Sequence, residues 1–65
     1  MNNIIKLHLY DSKTDVYINF NNVDLFVKKL NEEFTTIRFT DFNAYTRVSE
    51  SPEEIIKLLE ESNNE

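Results

Sequence analysis

The chain has no cysteine, no glycine and no tryptophan, and only one proline and one histidine among its 65 residues. Each absence closes off chemistry. Without cysteine there are no disulfides, no thiol nucleophiles and no four-Cys metal site, and the lone His8 cannot build a histidine-rich one. Without glycine neither a Walker loop nor a dinucleotide fingerprint can be written, because both need backbone that approaches phosphate without a Cβ in the way. Hairpin turns must then find another residue for positive φ. Asp11, Asn21, Asn22, Asn31, Asp41 and Asn43 fall between the periodic segments, and their short polar side chains tolerate that region best. Long apolar runs are missing too: Asn2, Asn3, Lys6 and His8 interrupt the first ten residues, and nothing approaches the roughly 20 residues of a membrane span. No membrane insertion and a cytoplasmic location are the expectations.

What remains is enough for one small domain. A chain of this length buries only about 60% of the surface exposed by its unfolded form. With 40% hydrophobic and 29% charged residues it reads as globular, but so thin a core supplies on the order of 3–5 kcal/mol. Self-association is the remaining source of stability, and a homodimer through a sheet edge or face is expected on that ground. Nine asparagines with many Ile, Lys and Phe residues point to an AT-rich genome, such as that of a low-GC bacterium or its phage.

The formal charge of −5 is unevenly placed. Residues 50–65 hold six acidic side chains against Lys57 alone, which gives −5, whereas residues 1–49 hold six of each sign and sum to zero. A neutral strand region followed by an acidic helix is an ordinary solvated arrangement. Glu53 and Glu54 also favour the positive end of a helix dipole.

That helix is the clearest signal in the chain. Ser51 can cap it, Pro52 suits its first position, and Glu54 lies three residues beyond the cap to complete a reciprocal capping box. Ile55, Ile56, Leu58 and Leu59 are expected to bury one face on the sheet. The spacing predicts a helix from Pro52 to about Glu61, with residues 62–65 frayed. Residues 1–61 form the single domain.

Upstream, alternation dominates. Ile5, Leu7 and Leu9 share one side of a first strand, and Val16, Ile18 and Phe20 one side of a second, with Asp11 to Thr14 as the turn. Thr35, Ile37 and Phe39 mark another strand, joined through Asp41, Phe42 and Asn43 to a strand from Ala44 to Val48. Residues 23–34 are ambiguous: Val23, Phe26, Val27, Leu30 and Phe34 fit helical spacing, whereas Val23, Leu25 and Val27 fit a strand with a turn at Asn31, Glu32 and Glu33. The β-branched and aromatic content favours the strand. The expected fold is α+β, mainly β: an antiparallel meander of four to five strands with one C-terminal amphipathic helix packed on one face.

The order of these pieces, with Ile18-Asn19 ending the second strand, Thr36-Ile37-Arg38-Phe39, and Val48-Ser49-Glu50-Ser51 leading into Pro52-Glu53-Glu54-Ile55, resembles the FlbD family of small flagellar and swarming-motility proteins. Short look-alike proteins of phages and mobile elements share the layout. The resemblance runs from Ile5 to Leu59. It implies a β-rich intracellular domain ending in a short helix, and a role in supporting the flagellar motor rather than catalysis. It brings no catalytic residue with it: the matching positions, Asn19 and Glu50 to Glu54, read as turn and cap residues.

No catalytic, cofactor-binding or metal-ligating set emerges from the residues themselves. His8 is the only side chain with an ordinary pKa near neutrality, yet no Ser or Thr stands in a nucleophile context, so it reads as a rim histidine. Glu32-Glu33, Glu53-Glu54 and Glu60-Glu61 are adjacent pairs, which on a helix diverge by about 100° and cannot share a ligand. The candidate interaction face is the polar side of the sheet: Lys6, His8, Tyr10, Tyr17, Arg38, Tyr45 and Arg47. Such a face can stack bases, but a neutral strand region disfavours nucleic acid. Tyr and Arg concentrate energy at protein interfaces. The sequence therefore reads as a non-enzymatic protein-interaction module without a cofactor, its partner a protein of unknown identity. It is either motility-accessory-like or a phage or mobile-element accessory that binds a host protein.

Overall fold

The computed structural model describes residues 3–40 and 44–62. Its fold is α+β, mainly strands, as two antiparallel sheets of two and three strands with one C-terminal helix. The turn expected at Asp41, Phe42 and Asn43 and the tail at 63–65 lie outside the described residues.

The first sheet is a hairpin of β1 (Ile4–His8) and β2 (Asp15–Asn19). Its register sets Ile5 opposite Ile18 and Leu7 opposite Val16 on the inner side, with Lys6 opposite Tyr17 outside. The Leu9 N–H donates to the Thr14 carbonyl and the Lys13 N–H to the Leu9 carbonyl, both at 2.9 Å. The four residues between Leu9 and Thr14 thus form one helix-like turn, and the last of them must swing into the left-handed region to rejoin the ladder. That residue is Lys13, at φ 59°. Among the described residues no aspartate or asparagine takes positive φ, contrary to the sequence expectation, because loop length rather than residue preference fixes where it falls.

β2 ends where the Asn19 side chain accepts the Asn21 N–H at 3.0 Å and caps a single 3-10 turn, Phe20–Asn22. The turn redirects the chain into a second sheet, where β3 (Val23–Val27), β4 (Thr35–Phe39) and β5 (Tyr45–Val48) pair in that order. A bulge in β3 explains the ambiguity of residues 23–34. Val23 pairs with Phe39 but Leu25 already pairs with Arg38, so Asp24 is the extra residue. The bulge turns Val23 and Phe26 inward together, three residues apart as in a helix, and sends Leu25 and Val27 outward. Val23, Leu25 and Val27 therefore do not share a face.

The two sheets meet at one point. Leu9 bridges Val48, flanked by bonds from the Tyr10 N–H to the Arg47 carbonyl (3.0 Å) and from the Ser49 N–H to the His8 carbonyl (2.8 Å). Helix α1 (Pro52–Ser62) follows directly. The Glu54 N–H donates to the Ser51 hydroxyl (3.2 Å) and the Ser51 N–H to the Glu54 carboxylate (3.0 Å), a closed capping box of a kind in which the cap alone is worth about 1 kcal/mol.

Ile5, Leu7, Ile18, Ile37, Val48 and Ile55 form the core, with Leu58 and Leu59 packed partly against it. Ile56, expected in the buried stripe, is 48% exposed. Successive residues on a helix diverge by about 100°, so Ile55 takes the seat and Ile56 points away. Among the described residues, no helix is long and apolar enough to cross a membrane.

Candidate functional site

The seven residues of the polar face do not form one surface. Lys6, His8 and Tyr17 stand on the β1–β2 hairpin, while Arg38, Tyr45 and Arg47 stand on the outer side of the three-stranded sheet. Tyr10 lies past the end of β1 and joins the second group, its ring 5.0 Å from that of Phe34. The chain splits them because β2 and β3 do not pair.

The second group is the more developed. Across β3, β4 and β5 the register aligns two rows, Leu25–Arg38–Tyr45 and Val27–Thr36–Arg47. The first row sets Arg38 between Leu25 and Tyr45; the second sets Thr36 between Val27 and Arg47. Leu25 and Val27 are more than two-fifths exposed and Tyr45 is 64% exposed. Phe34 closes one end, with the Arg47 guanidinium 5.1 Å from its ring centroid. The open groove between the rows has a volume of about 360 Å³. Arg38 is neutralised by an ion pair with Asp24, the bulge residue. Arg47 and Lys29, which also lines the groove, have no carboxylate partner among the described residues; with Glu32 as the groove's one carboxylate, these two cations are left to meet an incoming acid.

Leu25, Val27 and Phe34 stand outside the seven residues of the expected interaction face. Only the bulge shows that Leu25 and Val27 face outward, and no local pattern in the sequence fixes its position. Phe34 carries a readable signal, an aromatic just before a strand, but in the sequence it enters only the helical spacing that is the disfavoured alternative for residues 23–34.

The first group is built around His8. The Glu50 carboxylate accepts the His8 backbone N–H at 3.0 Å and lies 2.6 Å from ring Nδ1, while Asp15 lies 3.2 Å from Nε2. Both ring nitrogens therefore face carboxylates. Lys6 sits 3.9 Å from Asp15. Burial pushes the Glu50 carboxyl up, but the hydrogen bonds from the His8 ring and backbone, one to its own backbone, and the attraction of His8 outweigh this and hold it below its ordinary value. Glu50 is pinned at its backbone as well, where the buried Thr35 hydroxyl donates to its carbonyl at 2.6 Å. It is thus more than a residue leading into a cap: it ties β1 to the start of the helix. Among the described residues, no group of three or more His, Cys, Asp and Glu side chains is arranged to hold a metal ion.

No family model matches the chain, and comparisons with curated proteins and with solved structures gave no match.

Proposed function

We propose that the chain is a non-enzymatic interaction module that binds an apolar, acidic segment of a partner protein across the outer face of β3, β4 and β5. The observation that carries this reading is the double row Leu25–Arg38–Tyr45 and Val27–Thr36–Arg47, where exposed Leu25 and Val27 on β3 and Tyr45 on β5 share one face with Arg47, which has no carboxylate partner among the described residues. Tyrosine and arginine beside a groove are the side chains that most often dominate binding energy, and the free cation selects an acidic partner by charge complementarity. Nucleic acid suits the face less well, since Arg38 is already neutralised and phosphate binding rests on several free cations. The layout shared with small motility proteins favours a motor component as the partner; a host protein bound by a phage or mobile-element accessory is the second reading.

The test is capture of partners from the native host by the tagged chain, beside a Tyr45→Ala/Arg47→Glu variant, followed by binding of the purified pair. The expected result is one protein lost with the variant, whose binding weakens with salt and shifts the amide signals of β3 to β5. Binding that ignores both substitutions, or that maps elsewhere, overturns the reading.

A further inference from the structure

The free edge of β2 has the hydrogen-bonding pattern of an interface. In the hairpin, Leu9 bonds Thr14 and the Phe20 N–H bonds the Asn3 carbonyl at 2.9 Å. With the intervening register this assigns the even residues of β2 to the bonds with β1. The N–H and C=O groups of Asp15 and Tyr17 and the N–H of Asn19 therefore point the other way, where no strand pairs with them among the described residues; the Asn19 carbonyl, at the N-cap, belongs to the 3-10 turn. Proteins usually blunt such edges with a bulge, a proline or a lysine. β3, another edge strand, has its bulge at Asp24. β2 is regular, without bulge, proline or lysine, and its one charged side chain, Asp15, is held by Lys6 and His8 of β1. Beside it opens a cleft of about 360 Å³ lined by Val16, Ile18, Phe39 and Thr46 among others, all uncharged.

We infer that the occupant is a second copy of this chain, β2 pairing with β2 in antiparallel fashion about a two-fold axis at Tyr17. The sequence of β2 is self-complementary in that register. Asp15 of one copy faces Asn19 of the other, Tyr17 faces Tyr17, and on the cleft side Val16 faces Ile18. A carboxylate meets an amide donor, the exposed aromatics pair, and β-branched residues meet β-branched residues, all favourable cross-strand combinations. Tyr17 exchanges two main-chain bonds with its counterpart, and at each end the Asn19 N–H of one copy donates to the Asp15 carbonyl of the other, so the result is a four-stranded sheet β1–β2–β2–β1. Charge agrees with this arrangement. The net −5 resides entirely in residues 50–65, and α1 packs against β1, so the acidic helices lie at the outer ends of the shared sheet rather than at the contact. This surface is distinct from the β3–β5 face, and the dimer stands or falls independently of the proposed function.

The test is sedimentation velocity from about 10 µM to about 1 mM, a range that covers weak dimers. The wild type is expected to pass from monomer to dimer, with exchange protection of the Tyr17 and Asn19 amides growing as it does. Asn19→Asp keeps the side-chain oxygen that caps the 3-10 turn, but sets like charges opposite each other twice. It should raise the dissociation constant about fivefold to tenfold at low salt and less at high salt. Adding Asp15→Asn restores the complementary pair and should restore the constant. Tyr17→Pro removes an outward N–H that β1 does not use and should abolish the dimer. A monomer throughout the range overturns the proposal, as does a dimer indifferent to Asn19→Asp.

Discussion

Glu50 grips His8 at two points, one carboxylate oxygen accepting the backbone N–H and the other facing ring Nδ1 at 2.6 Å. The two residues are 42 positions apart, at the end of β1 and in the link from β5 to α1. The main-chain ladder between β1 and β5 ends at Ser49, and the Glu50 side chain supplies the next acceptor where the backbone turns away. A single carboxylate thus extends the joint that holds the two sheets and the helix together.

Removing that carboxylate leaves the His8 N–H without its acceptor. Glu50→Ala should cost roughly 1–3 kcal/mol in a urea melt, the range for a hydrogen bond to a charged group and the unpaired donor left behind. The pH dependence follows from the direction of the shift. The folded-state pKa of Glu50 is lowered from the ordinary 4.5, so its stabilisation is in full force above that value and is lost as pH falls through the folded-state value. The stability difference between wild type and Glu50→Gln should therefore be constant at neutral pH and shrink in acid. A difference that stays level down to the acid limit counts against the clamp.

Ile55 and Ile56 are adjacent and should respond oppositely. Ile55→Ala opens a cavity in the core and should cost about 2–5 kcal/mol, comparable to the whole stability of so small a domain, so the variant should be largely unfolded at room temperature by circular dichroism. Ile56→Ala, at a half-exposed site, should lie within about 0.5 kcal/mol of wild type.

Lys13 occupies a left-handed backbone position that an unbranched side chain tolerates poorly and a β-branched one worse. Lys13→Val should lower stability by about 1–2 kcal/mol, beyond the small loss of the cation held 5.1 Å from the Tyr10 ring. Lys13→Asn should be nearly neutral, since asparagine tolerates the conformation. Equal thermal midpoints for the two variants would show that the turn does not require positive φ.

Strand alternation, the capping box and the inward set Ile5, Leu7, Ile18 and Ile37 were legible because they depend on residues two to four positions apart, where periodicity and side-chain chemistry act without help from the rest of the chain. The same locality made Ile55 readable as core. Three features were out of reach of any local reading. The bulge at Asp24 arises from how β3 must shift to bury both Val23 and Phe26 against β4. The division of the polar face into two groups follows from the 3-10 turn at Phe20–Asn22, which steers β3 away from β2. The clamp of Glu50 on His8 joins residues that only the closure of β1 onto β5 brings together. Periodicity states which side of an element is apolar; which elements become neighbours, and hence which polar side chains meet, is settled by the packing of all of them around one small core.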